Sequence, residues 1–251
     1  MKIALGAAAS AAWRLFRRDR QVLIALAGMF LFLPRLAVQL LVPPAPLLPD
    51  ANAPQDVIEL WAQDYIGWTL QHAPLLVGSL IMSLFGSLAI TLFYVGPQKP
   101  DVAGSMRLAL RLAPGWLGVM TLVSFGASIG FFAFILPGLW LLGRAMLTGP
   151  DYATRQDSAW AALSRSFART RGNGLLLAGV AGLGVFGGQL LATPFLAVDN
   201  ALRKGQAENP VALVLADSGV ALVTTAAALA LVLLRITLYW TATSDRSQTP
   251  D

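Results

Sequence analysis

ILPGLWLLGRAMLTGPD, residues 135–151, places a proline-glycine pair and an arginine inside one of the most apolar stretches of the chain. How that stretch is read sets the number of membrane crossings. The membrane setting itself follows from composition. Of 251 residues, 56% are hydrophobic and only 12% charged, about half the charge of an ordinary soluble domain. Apolar runs cover 21–42, 74–95, 114–148, 175–198 and 211–240. Each is near or above the ~20 residues needed to cross a ~30 Å hydrocarbon core.

Working outward from 135–151, the basic residues orient the chain, because Lys and Arg gather in cytoplasmic loops. Lys2, Arg14, Arg17, Arg18 and Arg20 precede the first run. Lys99, Arg107 and Arg111 precede the third, and Arg155, Arg165, Arg169 and Arg171 follow the opening stretch. Between Leu36 and Gln98 there is no Lys or Arg, whereas Asp50, Asp56, Glu59 and Asp64 all fall there, which makes 43–73 an outer loop. Arg111 and Arg155 then share a side, so an even number of crossings separates them. A single helix from Pro114 to Leu147 would be about 50 Å long, too long for one crossing. Two short spans, 114–128 and 130–148 with a turn within GASIGFF (126–132), satisfy the count. The alternative is one full span ending at Pro137-Gly138 and a re-entrant return. In the two-span reading Pro137-Gly138 bends the returning half at depth and Gly149-Pro150 ends it.

The expected fold is therefore an all-α polytopic membrane bundle forming one domain over 1–251. Its six transmembrane helices lie at about 21–42, 74–95, 114–128, 130–148, 175–198 and 211–240. Residues 199–210, with Arg203 and Lys204, form a second outer loop, and both termini lie on the cytoplasmic side of a bacterial inner membrane. MKIALGAAASAAW imitates a signal peptide, but its alanine-rich core and the arginines after it suit a retained cytoplasmic helix over 1–20.

Three segments, AASAAWRLFRRDRQ, DVAGSMRLALRLAP and DSAWAALSRSFARTRGN, mix apolar with basic residues and lead into spans. They read as basic amphipathic interfacial helices, either simply because cytoplasmic loops of inner-membrane proteins become basic and amphipathic, or as the starts of three repeats of interfacial helix plus hairpin. In the third, Trp160, Leu163 and Phe167 share one face. Asp101 and Asp157 are placed to stabilise helix N-termini. Outside, VPPAPLLPDANAP (42–54) should be extended. QDVIELWAQDYIGWTLQ sets Val57, Trp61, Tyr65 and Trp68 on one face, as a helix on the outer membrane surface would.

Charges at membrane depth are the first candidates for function. Arg35 and Asp217 lie in the outer halves of the first and last spans, where a pair would join the two helices. Arg144 and Arg235 fall near inner ends, where snorkelling to lipid phosphate is expected. Ser79, Ser83, Ser87 and Thr91 recur every four residues as a packing stripe, or as a hydrophilic path with no carboxylate to complete a relay. Gly126 and Gly130, Gly174, Ala178 and Gly182, and Gly184 and Gly188 give further small faces for close helix packing. The chain has no cysteine, and His72 is its single histidine. Neither a zinc site nor a thiolate centre is expected, and no cofactor. The net charge of +5 sits beside the apolar runs, which points to anionic lipid headgroups at the cytoplasmic face rather than to nucleic acid.

The stretch 136–173 also resembles an element of the YciC-like polytopic bacterial inner-membrane proteins, a group related to the membrane domain of some glycerophosphodiester phosphodiesterases. The matching positions are Pro137, Gly138, Arg144, Pro150, Ala162, Leu163, Ser166 and Gly172. The resemblance implies a multi-span envelope protein and no particular reaction. Together with the composition it gives the expected function: a non-enzymatic membrane protein acting as a scaffold or in envelope maintenance, with lipids and protein partners or further copies of itself around it. A transporter or channel using Arg35 and Asp217 is the second reading, and a lipid-modifying enzyme the third.

Overall fold

The structure, a computed structural model, describes residues 5–96, 101–204 and 209–244, apart from the side chains of residues 203, 204 and 244. Lys2, Lys99, the side chains of Arg203 and Lys204, and residues 205–208 of the expected second outer loop lie outside the described residues. What is described is all-helical. α1 (Leu5–Ala27) passes through a π-helical turn (Gly28–Phe32) into α2 (Leu33–Leu41). There follow α3 (Gln55–Val95), α4 (Val102–Ala133), α5 (Ile135–Arg144), α6 (Thr148–Arg155), α7 (Ala159–Arg169), α8 (Gly174–Lys204) and α9 (Pro210–Ser244). Five helices are long and apolar enough to cross a membrane: Leu5–Leu41, Gln55–Val95, Val102–Ala133, Gly174–Leu202 and Pro210–Thr243.

The stretch expected to decide the count folds differently from either sequence reading. GASIGFF is not a turn. Gly126 and Gly130 lie inside α4 as contact surface, where added Cβ atoms would press on Leu141 and on the Gly138 backbone. The chain reverses at Phe134, whose extended backbone (φ −163°, ψ 153°) separates α4 from α5. The return is discontinuous, with the ten residues of α5, a turn at 145–147, and then α6. Pro137 and Pro150 do not bend or end a helix at depth. Each sits in the first turn of a new helix, where the N–H that proline lacks has no intrahelical acceptor anyway. At the hairpin tip Phe132 is 96% exposed and Phe134 78%. One long helix and one broken return thus replace the two short spans.

Other boundaries move outward as well. The expected outer loop 43–73 shrinks to 42–54, because α3 runs unbroken through Pro74 for 41 residues, about 62 Å. The amphipathic segment and the second span are one helix. Trp61, Tyr65, Trp68 and His72 stack along it at 5.4–6.0 Å. The indoles of Trp61 and Trp68 donate to the Pro46 and Pro43 carbonyls, which ties the proline-rich segment to this ladder. α8 likewise runs through Pro194 to Lys204, into the expected second outer loop.

The three basic segments do not share one structure. The first is the opening of α1, set off by a bend at Asp19 (φ −114°, ψ 26°) and docked by Ala8 and Ala12, with Thr237 of α9 donating to the Ala8 carbonyl. Arg14, Arg17, Arg18 and Arg20 remain on its exposed side. The second continues directly into α4, and Asp101 caps that helix by accepting from the Gly104 N–H at 2.7 Å. Only the third, α7, is a separate helix.

The main core occupies the end of the bundle that carries Asp19, Tyr94 and Trp116. Leu23, Phe30 and Leu31 interdigitate there with Leu88, Leu92, Trp116, Val119 and Ile236. Away from it, Leu70, Leu80, Phe125, Leu183 and Leu190 stay exposed, the expected surface for helices immersed in lipid. The small-residue faces divide between two neighbours. Gly174 and Gly182 meet Trp140 and Leu139 of α5, while Gly184 and Gly188 meet Leu231 and Ala227 of α9.

Candidate anionic-headgroup site

The breaks on either side of residues 145–147 leave backbone groups that the helices themselves cannot satisfy. Ser166 of α7 resolves this. Its hydroxyl donates to the Arg144 carbonyl at 2.6 Å and accepts from the Leu147 N–H at 3.2 Å. Thr170, one turn later, reaches the same carbonyl at 3.4 Å. Ala162, Leu163 and Ser166 form the buried face of α7, and Gly172 (φ +87°) reverses the chain beyond its end. Six of the eight residues that carry the family resemblance thereby act together: Arg144, Pro150, Ala162, Leu163, Ser166 and Gly172 build the α5–α6–α7 junction. Pro137 and Gly138 belong to the hairpin tip.

At the centre of the junction lies Asp151, in the first turn of α6, where a carboxylate suits the helix dipole. It is 0% exposed. Arg165 reaches it through Nε at 2.5 Å, Arg169 through a guanidinium nitrogen, and Arg155, one turn along α6, at 3.7 Å. Arg165 also donates to Asp157 at 2.8 Å, and that bond holds the Asp157 carboxyl below the usual carboxylate range. Asp157 therefore serves as a clamp for Arg165 instead of capping α7, whose N-cap is Ser158. Tyr152 stacks on Trp116 and donates to the Leu112 carbonyl at 3.1 Å, fastening α6 to α4.

Around this carboxylate the arginines are held in fixed poses. The Arg144 guanidinium lies against the edge-to-face pair of Trp140 and Phe167, 5.3 and 5.2 Å from their ring centres. The Arg169 guanidinium sits 5.4 Å from the centre of the Tyr239 ring on α9. Arg235, one turn before Tyr239, shares that face of α9. The Nε atoms of Arg144 and Arg235 are buried without a hydrogen-bond partner. Arg155, Arg165 and Arg169 share Asp151 and Asp157, and Arg144 adds a fourth guanidinium, so the junction carries surplus positive charge beside a half-exposed tryptophan.

Of the residues singled out from sequence, Arg144 and Arg235 come to this end. Asp151, which no sequence reading above singled out, is engaged by Arg155, Arg165 and Arg169. Sequence reasoning passed over Trp140, Arg165, Arg169 and Tyr239, although the i,i+4 spacing of Asp151 with Arg155 and of Arg165 with Arg169 was a usable signal. Arg35 lies at the far end of the fold. It donates to Thr225 Oγ1 at 3.3 Å, and Asp217 is two turns, about 12 Å, further along α9, so the expected Arg35–Asp217 pair is not what joins these helices. The serine stripe divides. Ser87 and Thr91 bond their own helix backbone, Ser79 lines a groove beside Arg35, and Ser83 lies half-buried between them. Compared with known protein families, curated proteins and solved structures, the chain matches none.

Proposed function

We propose that this chain is a multi-pass protein of the bacterial inner membrane, of the YciC-like kind, with both termini cytoplasmic and a non-enzymatic role as an envelope scaffold anchored by anionic lipid. In this reading α1–α2, α3, α4, α8 and α9 cross the membrane, the α5–α6 return supplies a sixth, broken crossing, and the opening of α1 and α7 lie in the cytoplasmic interface. The observation that carries the reading is the arginine junction. Its carboxylates are taken up in fastening α7 to α6, and its guanidinium groups stand in surplus beside Trp140, the arrangement that suits a lipid phosphate at an interface. A carboxylate held by three arginines is committed to structure and poorly suited to moving protons.

Lipid retention tests the anchoring. Purified in neutral detergent and measured by native mass spectrometry, the protein should keep phosphatidylglycerol more strongly than phosphatidylcholine. Arg144→Gln and Arg235→Gln should each weaken that retention by about fivefold, on the order of 1 kcal/mol per arginine near an anionic surface. Equal retention of the two lipids would remove the basis of the proposal.

Topology is open to a clean test because the chain has no cysteine. In intact spheroplasts, cysteines replacing the exposed Asp56 and Phe134 should react with an impermeant maleimide. Cysteines replacing Arg17, Arg107 or Arg171 should react only after permeabilisation. Protection of position 134 from outside would show that the α4–α5 hairpin stops short of a crossing.

The second reading, transport of a small solute or lipid past Arg35 and Asp217, draws support from the polar groove at Arg35. The packed core of Phe30, Leu88, Leu92 and Trp116 toward the arginine-rich end argues against a path continuing through the bundle.

A further inference from the structure

Arg35 owes its position to a local fault in the first long helix. Pro34 has no N–H to offer the Phe30 carbonyl, and the π-helical turn Gly28–Phe32, closed by the Leu33 N–H on the Gly28 carbonyl, takes up the mismatch. Phe30 seats against Gly86, where any Cβ would collide with it, so the turn is held against α3. Arg35 is thereby carried on a fixed element. It lies six residues, about 9 Å, before the end of α2 at Leu41, and sixteen residues, about 24 Å, beyond the bend at Asp19. That is a depth at which a charge requires compensation.

The compensation within the protein is slight. Arg35 opens onto a groove of about 280 Å³ that it lines with Gln39 of α2, Ser79 of α3, Gln189 of α8 and Thr224 of α9. Its one hydrogen bond goes to a neutral hydroxyl, that of Thr225. Asp217 has an interaction of its own. Among the described residues no carboxylate pairs with Arg35, and no protein group hydrogen-bonds the side chains of Gln39, Ser79 or Gln189. The groove thus combines one cation, two amides and a hydroxyl with donors to spare, and holds no anion of its own. α3 and α8 flank it, and Leu76 and Leu196 continue its walls as apolar surface. At the small end of the ~300–1,000 Å³ usual for ligand pockets, it has room for a headgroup but not for acyl chains.

We propose that this groove binds the head of an anionic membrane amphiphile, a phosphate ester with net negative charge, with Arg35 as the principal donor and Gln39, Ser79 and Gln189 around it, while the hydrocarbon chain leaves along Leu76 and Leu196. The leaflet rests on the topology proposed above, which makes it the outer one; the groove itself does not depend on that reading. The site is separate from the arginine junction: Thr225, which Arg35 meets, lies ten residues, about 15 Å, from Arg235 along α9.

Ser79→Cys in the otherwise cysteine-free chain, reconstituted in phosphatidylcholine vesicles, gives the test. A negatively charged methanethiosulfonate should modify this cysteine roughly tenfold or more faster than a positively charged one, because a cationic cleft concentrates anions. Arg35→Gln should abolish the preference, and Arg35→Lys, which keeps the charge, should retain most of it. Lysophosphatidylglycerol should slow modification, and lysophosphatidylcholine, whose headgroup has no net charge, and inorganic phosphate should not. An unchanged preference in Arg35→Gln, with Arg35→Lys behaving identically, would overturn the site. So would a cysteine unreactive until the protein is denatured. Protection by inorganic phosphate as strong as that by the lysolipid would overturn the amphiphile in favour of a free anion. Reagent applied to one side reads the leaflet separately, and phosphatidylglycerol retention that depends on Arg144 and Arg235 should be unaffected by Arg35→Gln. Failure of the groove and failure of the anchoring role are therefore distinguishable.

Discussion

Asp151→Asn should lower the stability of the protein by about 3 kcal/mol or more, because it leaves Arg165 and Arg169 with their charges and without their shared anion. The lower part of the usual range for breaking a buried pair is appropriate, since Arg155 is half-exposed and Arg165 a quarter exposed, so water takes over part of their solvation. Arg169, at 10% exposure, has no such relief. The measurement is the midpoint of thermal unfolding in detergent, followed by size-exclusion homogeneity. Adding Arg169→Gln to Asp151→Asn should restore part of the loss by removing the orphaned charge, a coupling expected only of residues in direct electrostatic contact. Strictly additive losses would mean that Asp151 matters for shape alone.

Gly143→Ala should be the most damaging of the glycine-to-alanine changes between α5 and α8. A Cβ there would lie 2.6 Å from the Ala178 nitrogen and the Leu177 carbonyl carbon, and 2.8 Å from the Leu177 oxygen. These are backbone atoms, so no rotamer change can make room and the two helices must separate. Overpacking typically costs about 1–3 kcal/mol, and a backbone-against-backbone clash belongs at the top of that range. Gly118, Gly179 and Gly187 have nothing within 4 Å of an added Cβ. Alanine at those positions should be neutral or better, since glycine inside a helix costs roughly 0.5–1 kcal/mol relative to alanine. Similar losses for Gly143→Ala and Gly187→Ala would show that α5 is not held to α8 by this contact. The same comparison covers the function, because α5 carries Arg144 and Trp140 and a displaced α5 should also lose phosphatidylglycerol.

The all-helical class and the apolar runs behind the five long helices were legible in the chain, though six spans were expected from them, because hydrophobic length and scarcity of charge are local properties that no tertiary contact can hide. The small-residue faces were legible for the same reason, as was Asp101 as a cap. What could not be read was where helices stop. Pro74 and Pro194 lie inside helices in an apolar setting. Pro137 and Pro150 open helices. The sequence signal is the same in all four, and only the neighbours that satisfy or exclude a backbone group decide between them.

ILPGLWLLGRAMLTGPD shows the division most clearly. Its own residues determine that it is helical, apolar and basic at its far end, since each of these follows from side-chain chemistry within a turn or two. That the reversal falls at Phe134, that the return breaks at 145–147, and that Ser166 mends the break depends on residues up to thirty positions away. The partners of the charges are likewise a tertiary outcome. Arg35 meets Thr225 instead of Asp217, and Asp151 collects three arginines while Arg144 lies against two aromatic rings. A charge at low dielectric takes whichever compensating group the packing brings within a few ångströms, and sequence spacing carries that information only inside a single helix.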